Sequence, residues 1–137
     1  MRTSWHLTVL LLFLVNASFA SPEEDVFAGC YSLDQDNEPV LKVEIIEDTY
    51  YVSLRDYDGW TGTEDLRPGT QQELSELFDS DSTRIKSSLV ADKGLFGLFH
   101  VQTGETYSGY KAETDYIAFI SHGGGSVYKI DCINEWH

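Results

Sequence analysis

Two neighbouring segments of the chain alternate hydrophobic and polar residues with the period of a β-strand. Such alternation places every second side chain on one face. The hydrophobic positions are Leu41, Val43 and Ile45 in the first segment and Tyr50, Val52 and Leu54 in the second. The polar pair Glu47-Asp48 separates the two segments. The pattern therefore predicts an antiparallel hairpin of residues 41–45 and 49–55.

Further strand-like segments recur at intervals of about ten residues. They are Val26–Leu33 before the hairpin and, after it, Arg84–Val90, Leu95–Val101, Glu105–Lys111, Tyr116–Ser121 and Ser126–Cys132. Short polar or Gly-containing turns separate the later segments. Even spacing with tight turns is typical of an antiparallel up-and-down sheet. We predict a mainly β fold in which eight strands form such a sheet or a small barrel, because closure removes exposed strand edges.

One short segment has the pattern of an α-helix. Thr70-Gln71-Gln72-Glu73 matches a capping box, in which the Thr and Glu side chains accept hydrogen bonds from backbone N–H groups. Leu74, Leu77 and Phe78 follow at helical spacing. We predict one short helix at about residues 71–78, capped by Thr70, with these three apolar side chains buried against the sheet.

The first twenty residues have the composition of a secretory signal peptide. Arg2 precedes an apolar run from Leu7 to Val15, and Ser18 and Ala20 place small residues before a cut at Ser21. The run is about half as long as the roughly 20 residues that a membrane span needs. We predict an exported protein, periplasmic or secreted, in which residues 21–137 form a single domain.

Charge and cysteines narrow the compartment and the partners. The formal charge is −14, and the predicted cut removes one further positive residue, Arg2. This sign disfavours nucleic acid and anionic membranes as partners and favours cationic proteins, although acidity also serves solubility. Cys30 and Cys132 stand near the two ends of the predicted domain. In an oxidising compartment they most simply pair, which would join the first and last strands.

The segment from 56 to 65 reads Asp-Tyr-Asp-Gly-Trp-Thr-Gly-Thr-Glu-Asp, which is too polar and Gly-rich to be core. Exposed aromatic side chains supply interface energy, and surrounding carboxylates steer a cationic partner. We predict a partner-binding loop with an exposed Trp60 as its anchor. The predicted binding residues are Trp60, Tyr57, Asp56, Asp58, Glu64 and Asp65. The alternative is that Trp60 folds back as a plug over one end of the barrel.

The catalytic patterns in the sequence are incomplete. His122-Gly123-Gly124-Gly125 matches an oxyanion motif of lipases, but no G-x-S-x-G nucleophile elbow accompanies it, so a glycine turn is favoured. The acid pairs Asp34/Asp36, Asp56/Asp58 and Asp79/Asp81 lie in polar turns and complete no calcium loop. His100 is predicted to face outward between Phe99 and Val101. The sequence predicts no enzyme activity, no metal and no cofactor.

Two short stretches resemble the lipocalin family. Gly29-Cys30-Tyr31 resembles the G-x-W opening with Tyr in place of Trp, and Thr114-Asp115-Tyr116 resembles the T-D-x-x-Y element. Ala118 stands where that element has Tyr, and Lys129 is the cation nearest to the missing last-strand Arg. In size, acidity, signal peptide and cysteine placement the chain is also similar to small periplasmic lysozyme-inhibitor barrels, without a match to their inhibitory loop motif. The resemblance implies a calycin-type β-barrel.

Two functions fit these observations. One is an acidic binding protein that neutralises an enzyme by protein–protein contact, as a periplasmic immunity protein against a secreted antibacterial toxin or as a lysozyme inhibitor. The other is a lipocalin-like carrier of a small apolar ligand, which needs an apolar cavity of about 300 Å³ or more. We expect a largely filled barrel interior, which favours the first function. The side chains expected to fill it include Phe96, Phe99, Tyr107 and Phe119.

Overall fold

The computed structural model describes residues 25–35, 38–93, 96–121 and 123–132. The predicted signal peptide, Asp36 and His122 lie outside these residues. The strands are β1 Gly29–Ser32, β2 Leu41–Ile46, β3 Thr49–Asp56, β4 Gly59–Arg67, β5 Ser87–Ala91, β6 Phe96–His100, β7 Thr106–Tyr107, β8 Tyr110–Lys111, β9 Tyr116–Ile120, β10 Gly123–Ser126 and β11 Tyr128–Ile130. Helix α1, Gln71–Phe78, continues into a 3-10 turn, Asp79–Arg84. Within the described ranges, no helix has the length and apolar character that a membrane crossing requires.

Nine strands form one antiparallel sheet in the order β10-β9-β6-β5-β4-β3-β2-β1-β11. Its two outermost strands, β10 and β11, are consecutive in the chain and are separated only by Val127. One bent segment therefore pairs with β9 through its first half and with β1 through its second half. This segment bends the sheet into a nearly closed barrel, which has eight wall strands if β10 and β11 are counted as one. The predicted mainly β, up-and-down architecture is confirmed.

A disulfide fastens the sheet near the place where it closes. Cys30 lies in β1, and its Cα is 5.3 Å from the Cα of Cys132, two residues beyond the end of β11. The predicted bond is confirmed, with the difference that Cys132 follows the last strand instead of lying in it. A structural disulfide indicates an oxidising, exported environment.

The inward faces of the wall strands build the first of two apolar clusters. Its buried members come from almost every strand of the sheet, because period-two alternation sends every second side chain inward. They are Phe27, Tyr31, Leu41, Val43, Val52, Leu66, Leu89, Leu98, Ala118 and Val127. Tyr31, Leu41 and Leu98 are fully buried. Side chains therefore occupy the part of the barrel interior that the structure describes.

A second apolar cluster lies on the outer face of β5, β6 and β9, where α1 and the small β7–β8 hairpin cover it. Its buried members are Phe78, Val90, Phe99, Val101, Tyr107, Ala112 and Ile117. The ring of Phe78 in α1 lies 5.0 Å from that of Phe99 and 5.6 Å from that of Phe119. The prediction that Phe99, Tyr107 and Phe119 fill the barrel interior is wrong. These strands are buried on both faces, so their apolar runs hide which residues face inward.

His100, in the same doubly buried β6, also has an orientation that differs from the predicted one. It shares a strand face with Leu98, which is in the interior cluster, and its ring stacks on Tyr116 at 5.3 Å between centroids. The prediction that His100 faces outward is therefore wrong. Burial is the largest influence that lowers the pKa of its imidazole.

Two predicted segments have a different structure. Residues 105–111 form the two short strands of a separate hairpin, with Ser108 and Gly109 at positive φ, instead of a wall strand. The glycine run predicted as a turn contains β10, which pairs with β9. A Cβ at Gly124 would lie 1.8 Å from the ring of Phe119. The glycine is therefore needed for the close approach of that ring.

Helix α1 spans the predicted residues, Gln71–Phe78, and begins with the predicted capping box. The Thr70 hydroxyl accepts from the Glu73 N–H at 3.2 Å, and the Glu73 carboxylate accepts from the Thr70 N–H at 2.9 Å. Phe78 is buried, as predicted, whereas Leu74 is only half-buried. Leu77 is 42% exposed, so its predicted burial is wrong. The helix turns one edge of its apolar stripe toward solvent.

The segment before β1 closes one end of the barrel. Phe27 is buried in the interior cluster. The hydroxyls of Tyr31 and Tyr116 donate to the carbonyls of Phe27 and Val26, at 2.5 and 2.6 Å. The ammonium group of Lys129 donates to the Val26 carbonyl at 2.9 Å. The first described residues are thus held by side chains of β1, β9 and β11, the strands that meet where the barrel closes.

Asp25 anchors this segment. One carboxylate oxygen accepts from the N–H groups of Phe27 and Ala28, both at 2.8 Å, and the other accepts from the Tyr50 hydroxyl at 2.7 Å. Burial alone would raise the pKa of Asp25, but the hydrogen bonds from Ala28, Tyr50 and Phe27 together hold it below its usual value. Burial, with the hydrogen bond to Asp25, raises the pKa of Tyr50 to about 12.

Replacing both cysteines should lower the free energy of unfolding. The bond closes a loop with a sequence separation of 102 residues, and loss of a native disulfide from a small domain costs about 2–5 kcal/mol. We expect this loss in Cys30→Ala/Cys132→Ala, measured by urea denaturation. Equal stability of variant and wild type would show that strand pairing alone closes the barrel.

Asp25→Asn should remove a pH-dependent part of the stability. Because the folded-state pKa lies below the unfolded value of about 3.9, the carboxylate stabilises the fold above that pH, and this contribution is lost as the pH falls through the folded pKa. The wild type should exceed the variant in urea denaturation at neutral pH, and the difference should shrink in acid. Asp48→Asn, at the exposed β2–β3 turn, is the control. A difference that stays constant with pH would contradict this assignment.

Candidate protein-binding site

The segment predicted as a loop is the end of a β-hairpin. Asp56 pairs with Gly59 and Arg55 with Trp60, so only Tyr57 and Asp58 form the turn between β3 and β4. Gly59 has a φ of 114°, which favours glycine. The loop prediction is therefore wrong. We call residues 56–65 the acidic hairpin end.

Asp56 fixes the turn with both carboxylate oxygens. One accepts from the backbone N–H of Asp58 at 2.8 Å, and the other accepts from the Thr61 hydroxyl at 3.3 Å. Bonds from an Asp side chain to the backbone two residues on are a common turn device. Asp56 is thus a structural part of the acidic hairpin end as well as one of its charges.

A β-bulge lies within the hairpin. Val52 pairs with Glu64 but Leu54 pairs with Thr61, so β4 carries one residue more than β3 over this interval. Gly62 supplies the bulge with a φ of 62°. The bulge resets the alternation of side chains along β4, and the pairing on either side of it determines which face each residue occupies.

The two aromatic residues of the acidic hairpin end have different surroundings. Tyr57, at the turn, is fully exposed. Trp60 is half-buried on the outer face of the barrel, where the ammonium group of Lys42 lies 4.8 Å from its ring centroid. This distance is within the range of a cation–π interaction. The prediction that Trp60 is substantially exposed is therefore wrong, and the ring does not plug a barrel end. Its role as a binding anchor stays a prediction.

The carboxylates of the acidic hairpin end face solvent, as predicted. Asp56, Asp58, Glu64 and Asp65 are all exposed. Glu64 pairs with the inward-facing Val52, whereas its neighbour Asp65 points to the opposite face. The acids therefore surround the strand on both faces and do not form one flat patch.

The strand β4 extends beyond its neighbour β5. Among the described residues, β5 pairs with β4 only at Leu66 and Arg67, whereas β3 pairs with β4 from Gly59 to Leu66, apart from the bulge. Residues 61–65 are exposed. This strand was not predicted because its glycines and acids have the composition of a loop. The dipeptide Asp58-Gly59 after a strand was the available signal, since it is typical of a hairpin turn.

An ion-pair cluster holds the base of β4 to helix α1. The guanidinium group of Arg67 makes two parallel bonds to the Glu73 carboxylate, at 2.8 and 2.9 Å, and a third bond to Asp92. Hydrogen bonding to Arg67 lowers the pKa of Glu73 to about 2. The acidic hairpin end therefore projects from a base that is held by neighbouring elements.

A groove of about 430 Å³ lies beside α1, over the outer faces of β5, β6 and β9. Its apolar walls include Val90, Phe99 and Phe119. Leu77 and Tyr110, which are 42% and 38% exposed, also line it. The groove belongs to the second apolar cluster and lies outside the barrel interior.

The acids of the 3-10 turn have structural partners. Asp81 accepts from the Ser108 N–H and from the Arg84 guanidinium, and these bonds lower its pKa. Asp79 accepts from the Ser108 hydroxyl. In the part of the chain that the structure describes, no three His, Cys, Asp or Glu residues are grouped so that they could hold a metal ion.

Comparison of the chain with protein-family models, with curated proteins and with solved structures gives no match. The similarity to lipocalins therefore stays a prediction. In the structure, Tyr31 is buried in the barrel interior and pairs, between β1 and β11, with Lys129. Lys129 is the cation nearest in the sequence to the position where lipocalins have an Arg.

Trp60→Ala and Tyr57→Ala should differ in their effect on stability. Trp60→Ala removes a half-buried ring and its contact with Lys42, so we expect a loss of about 1–2 kcal/mol. Tyr57→Ala removes a fully exposed ring, so its effect should stay within about 0.5 kcal/mol. Thermal unfolding measures both. Equal melting temperatures of the two variants would contradict the different surroundings of the rings.

Proposed function

We propose that this protein is an exported acidic binding protein that neutralises a cationic enzyme by protein–protein contact through the acidic hairpin end. The observation that carries the proposal is the fully exposed Tyr57 on a turn fixed by Asp56, among carboxylates that face solvent. Because the ring of Tyr57 is fully exposed, it adds little to the free energy of folding. Aromatic residues of this kind are over-represented among the residues that dominate binding energy.

The charge of the chain supports a cationic partner. The formal charge is −14, and exposed carboxylates around an aromatic anchor accelerate encounter with positive surfaces. The disulfide supports an exported location, which we assign to the periplasm or the extracellular space. The partner class is a secreted antibacterial toxin, with this chain as its immunity protein, or a lysozyme. In either case the chain needs no metal and no cofactor.

Tyr57→Ala should weaken partner binding without unfolding the protein. Residues 21–137 would be titrated calorimetrically against lysozyme and against cationic toxins encoded beside the gene. We expect micromolar or tighter binding to one of them and a loss of at least about 2 kcal/mol, roughly thirty-fold in Kd, in Tyr57→Ala. Tyr110→Ala, which removes an exposed tyrosine outside the acidic hairpin end, is the control. The proposal would be rejected if none of the candidates binds with a micromolar or lower Kd. It would also be rejected if Tyr57→Ala and Tyr110→Ala lost the same binding free energy.

The carboxylates should act mainly on the association rate. Glu64→Gln/Asp65→Asn is compared with Glu47→Gln/Asp48→Asn, which removes two acids from the opposite end of β3. Only the first variant should slow association at low ionic strength, and the difference should shrink at about 0.5 M salt, where the Debye length is only a few ångströms. Association rates from surface plasmon resonance test this, and equal rates for both variants would exclude steering by the acidic hairpin end.

The groove beside α1 favours a second candidate function, a carrier of a small apolar ligand. Its volume of about 430 Å³ and its apolar walls are within the range of ligand sites, although the notional ligand would lie outside the barrel. A neutral apolar dye such as N-phenyl-1-naphthylamine should then bind with micromolar Kd. Leu77→Arg should weaken it at least ten-fold, whereas Leu33→Arg, at an exposed position that does not line the groove, should not. Equal dye binding by both variants would reject the carrier function.

A further inference from the structure

The part of β4 within the acidic hairpin end has one paired edge and one open edge. β3 pairs with it from Gly59 to Leu66, apart from the bulge. On the other side, β5 ends at Ala91, opposite Leu66, and pairs no further along the described residues of β4. An edge of this kind presents backbone N–H and C=O groups that an added strand can bond.

The open edge is long enough to receive a strand. Residues 59–65 at about 3.4 Å each span about 20 Å, the length of an ordinary strand. Among the described residues, no strand pairs with this part of β4 on that side, so an added segment would continue the sheet in the place where β5 stops. Residues 61–65 are already exposed, so no side chain has to leave a core to admit it.

The charges along this edge select the kind of segment. Glu64 and Asp65 lie on the two faces of the strand, and Asp56 and Asp58 stand at the turn. Opposite charges on neighbouring strands stabilise pairing, and like charges oppose it. A lysine- or arginine-rich segment therefore fits, whereas a second copy of this acidic edge is repelled. The bulge at Gly62 further restricts indiscriminate pairing.

We propose that the open edge of β4, residues 59–65, binds an extended cationic segment of the partner by strand addition. This inference rests on the proposed function and specifies how the same hairpin recognises its partner. Main-chain hydrogen bonds would hold the segment in place, while its cationic side chains would meet Glu64 on one face and Asp65 on the other. Tyr57 would then contact the partner beyond the end of the added strand.

The test uses residues 21–137 and three capped seven-residue peptides. The first alternates Lys and Val, the second is the same peptide with every second backbone nitrogen methylated, and the third alternates Glu and Val. Calorimetry gives Kd, and hydrogen exchange followed by NMR reports each amide. We expect the Lys peptide to bind and to slow exchange at least ten-fold at alternate positions within 59–65. The methylated and Glu peptides should bind at least ten-fold more weakly.

Side-chain variants separate charge from backbone pairing. Glu64→Gln/Asp65→Asn should weaken the Lys peptide at low salt, whereas Glu47→Gln/Asp48→Asn should leave its affinity unchanged. Equal affinity of the methylated peptide, protection confined to other strands, or no binding of the Lys peptide at millimolar concentration would overturn strand addition. Protection of 59–65 that grows with protein concentration in the absence of peptide would instead identify a second copy as the occupant and would also overturn it.

The two proposals fail in distinguishable ways. If Tyr57→Ala still abolishes binding to the enzyme while the methylated peptide binds as well as the Lys peptide, the binding function stands and strand addition is wrong. If the Lys peptide pairs with 59–65 but no cationic enzyme binds, the edge is a peptide site and the enzyme-neutralising function is wrong.

Discussion

The closure of the barrel by one bent segment is the constraint on which the rest of the structure depends. Val127, between β10 and β11, is buried, donates its N–H to the Tyr116 carbonyl at 3.0 Å and accepts from the Thr114 hydroxyl at 2.5 Å. Because the same few residues pair with β9 and with β1, the registers of both edges are coupled. A slip of one residue would move side chains to the wrong face at both edges. The Cys30–Cys132 bond links β1 to the residues that follow β11 and so helps to hold this register.

Closure also explains why the acidic hairpin end projects. The strands of the sheet differ in length, from three residues in β11 to nine in β4, and the interior cluster takes little of its apolar surface from β4. Among the described residues, Leu66 is the one β4 side chain in that cluster. The remainder of β4 is held by β3, by its turn and by the Arg67 cluster at its base. Since these residues bury little apolar surface, the packing of the core does not restrict which residue types occupy these positions.

The features that the sequence predicted correctly depend on local contacts. The β2–β3 hairpin follows from alternation across two polar residues, and α1 follows from a capping box that closes within four residues. β10 was missed because the strand depends on the Phe119 ring over Gly124, a contact between two strands that glycine composition does not show. β4 was missed because an exposed strand has no apolar face to produce an alternating pattern. The burial of Phe99 and Phe119 outside the barrel could not be read from strands that are apolar on both faces.

The acids of the chain divide into two groups by what surrounds them. Asp25, Glu73 and Asp81 accept several hydrogen bonds, and their depressed pKa values follow from those bonds. They fix, respectively, the barrel end, the start of α1 and the 3-10 turn. Glu64 and Asp65 lie instead on the exposed part of β4, where their carboxylates face solvent and repel other negative charges. Negative charge concentrated on the open edge of β4 adds nothing to the closure of the barrel, and this separation from the fold is the physical basis of the binding surface that we propose.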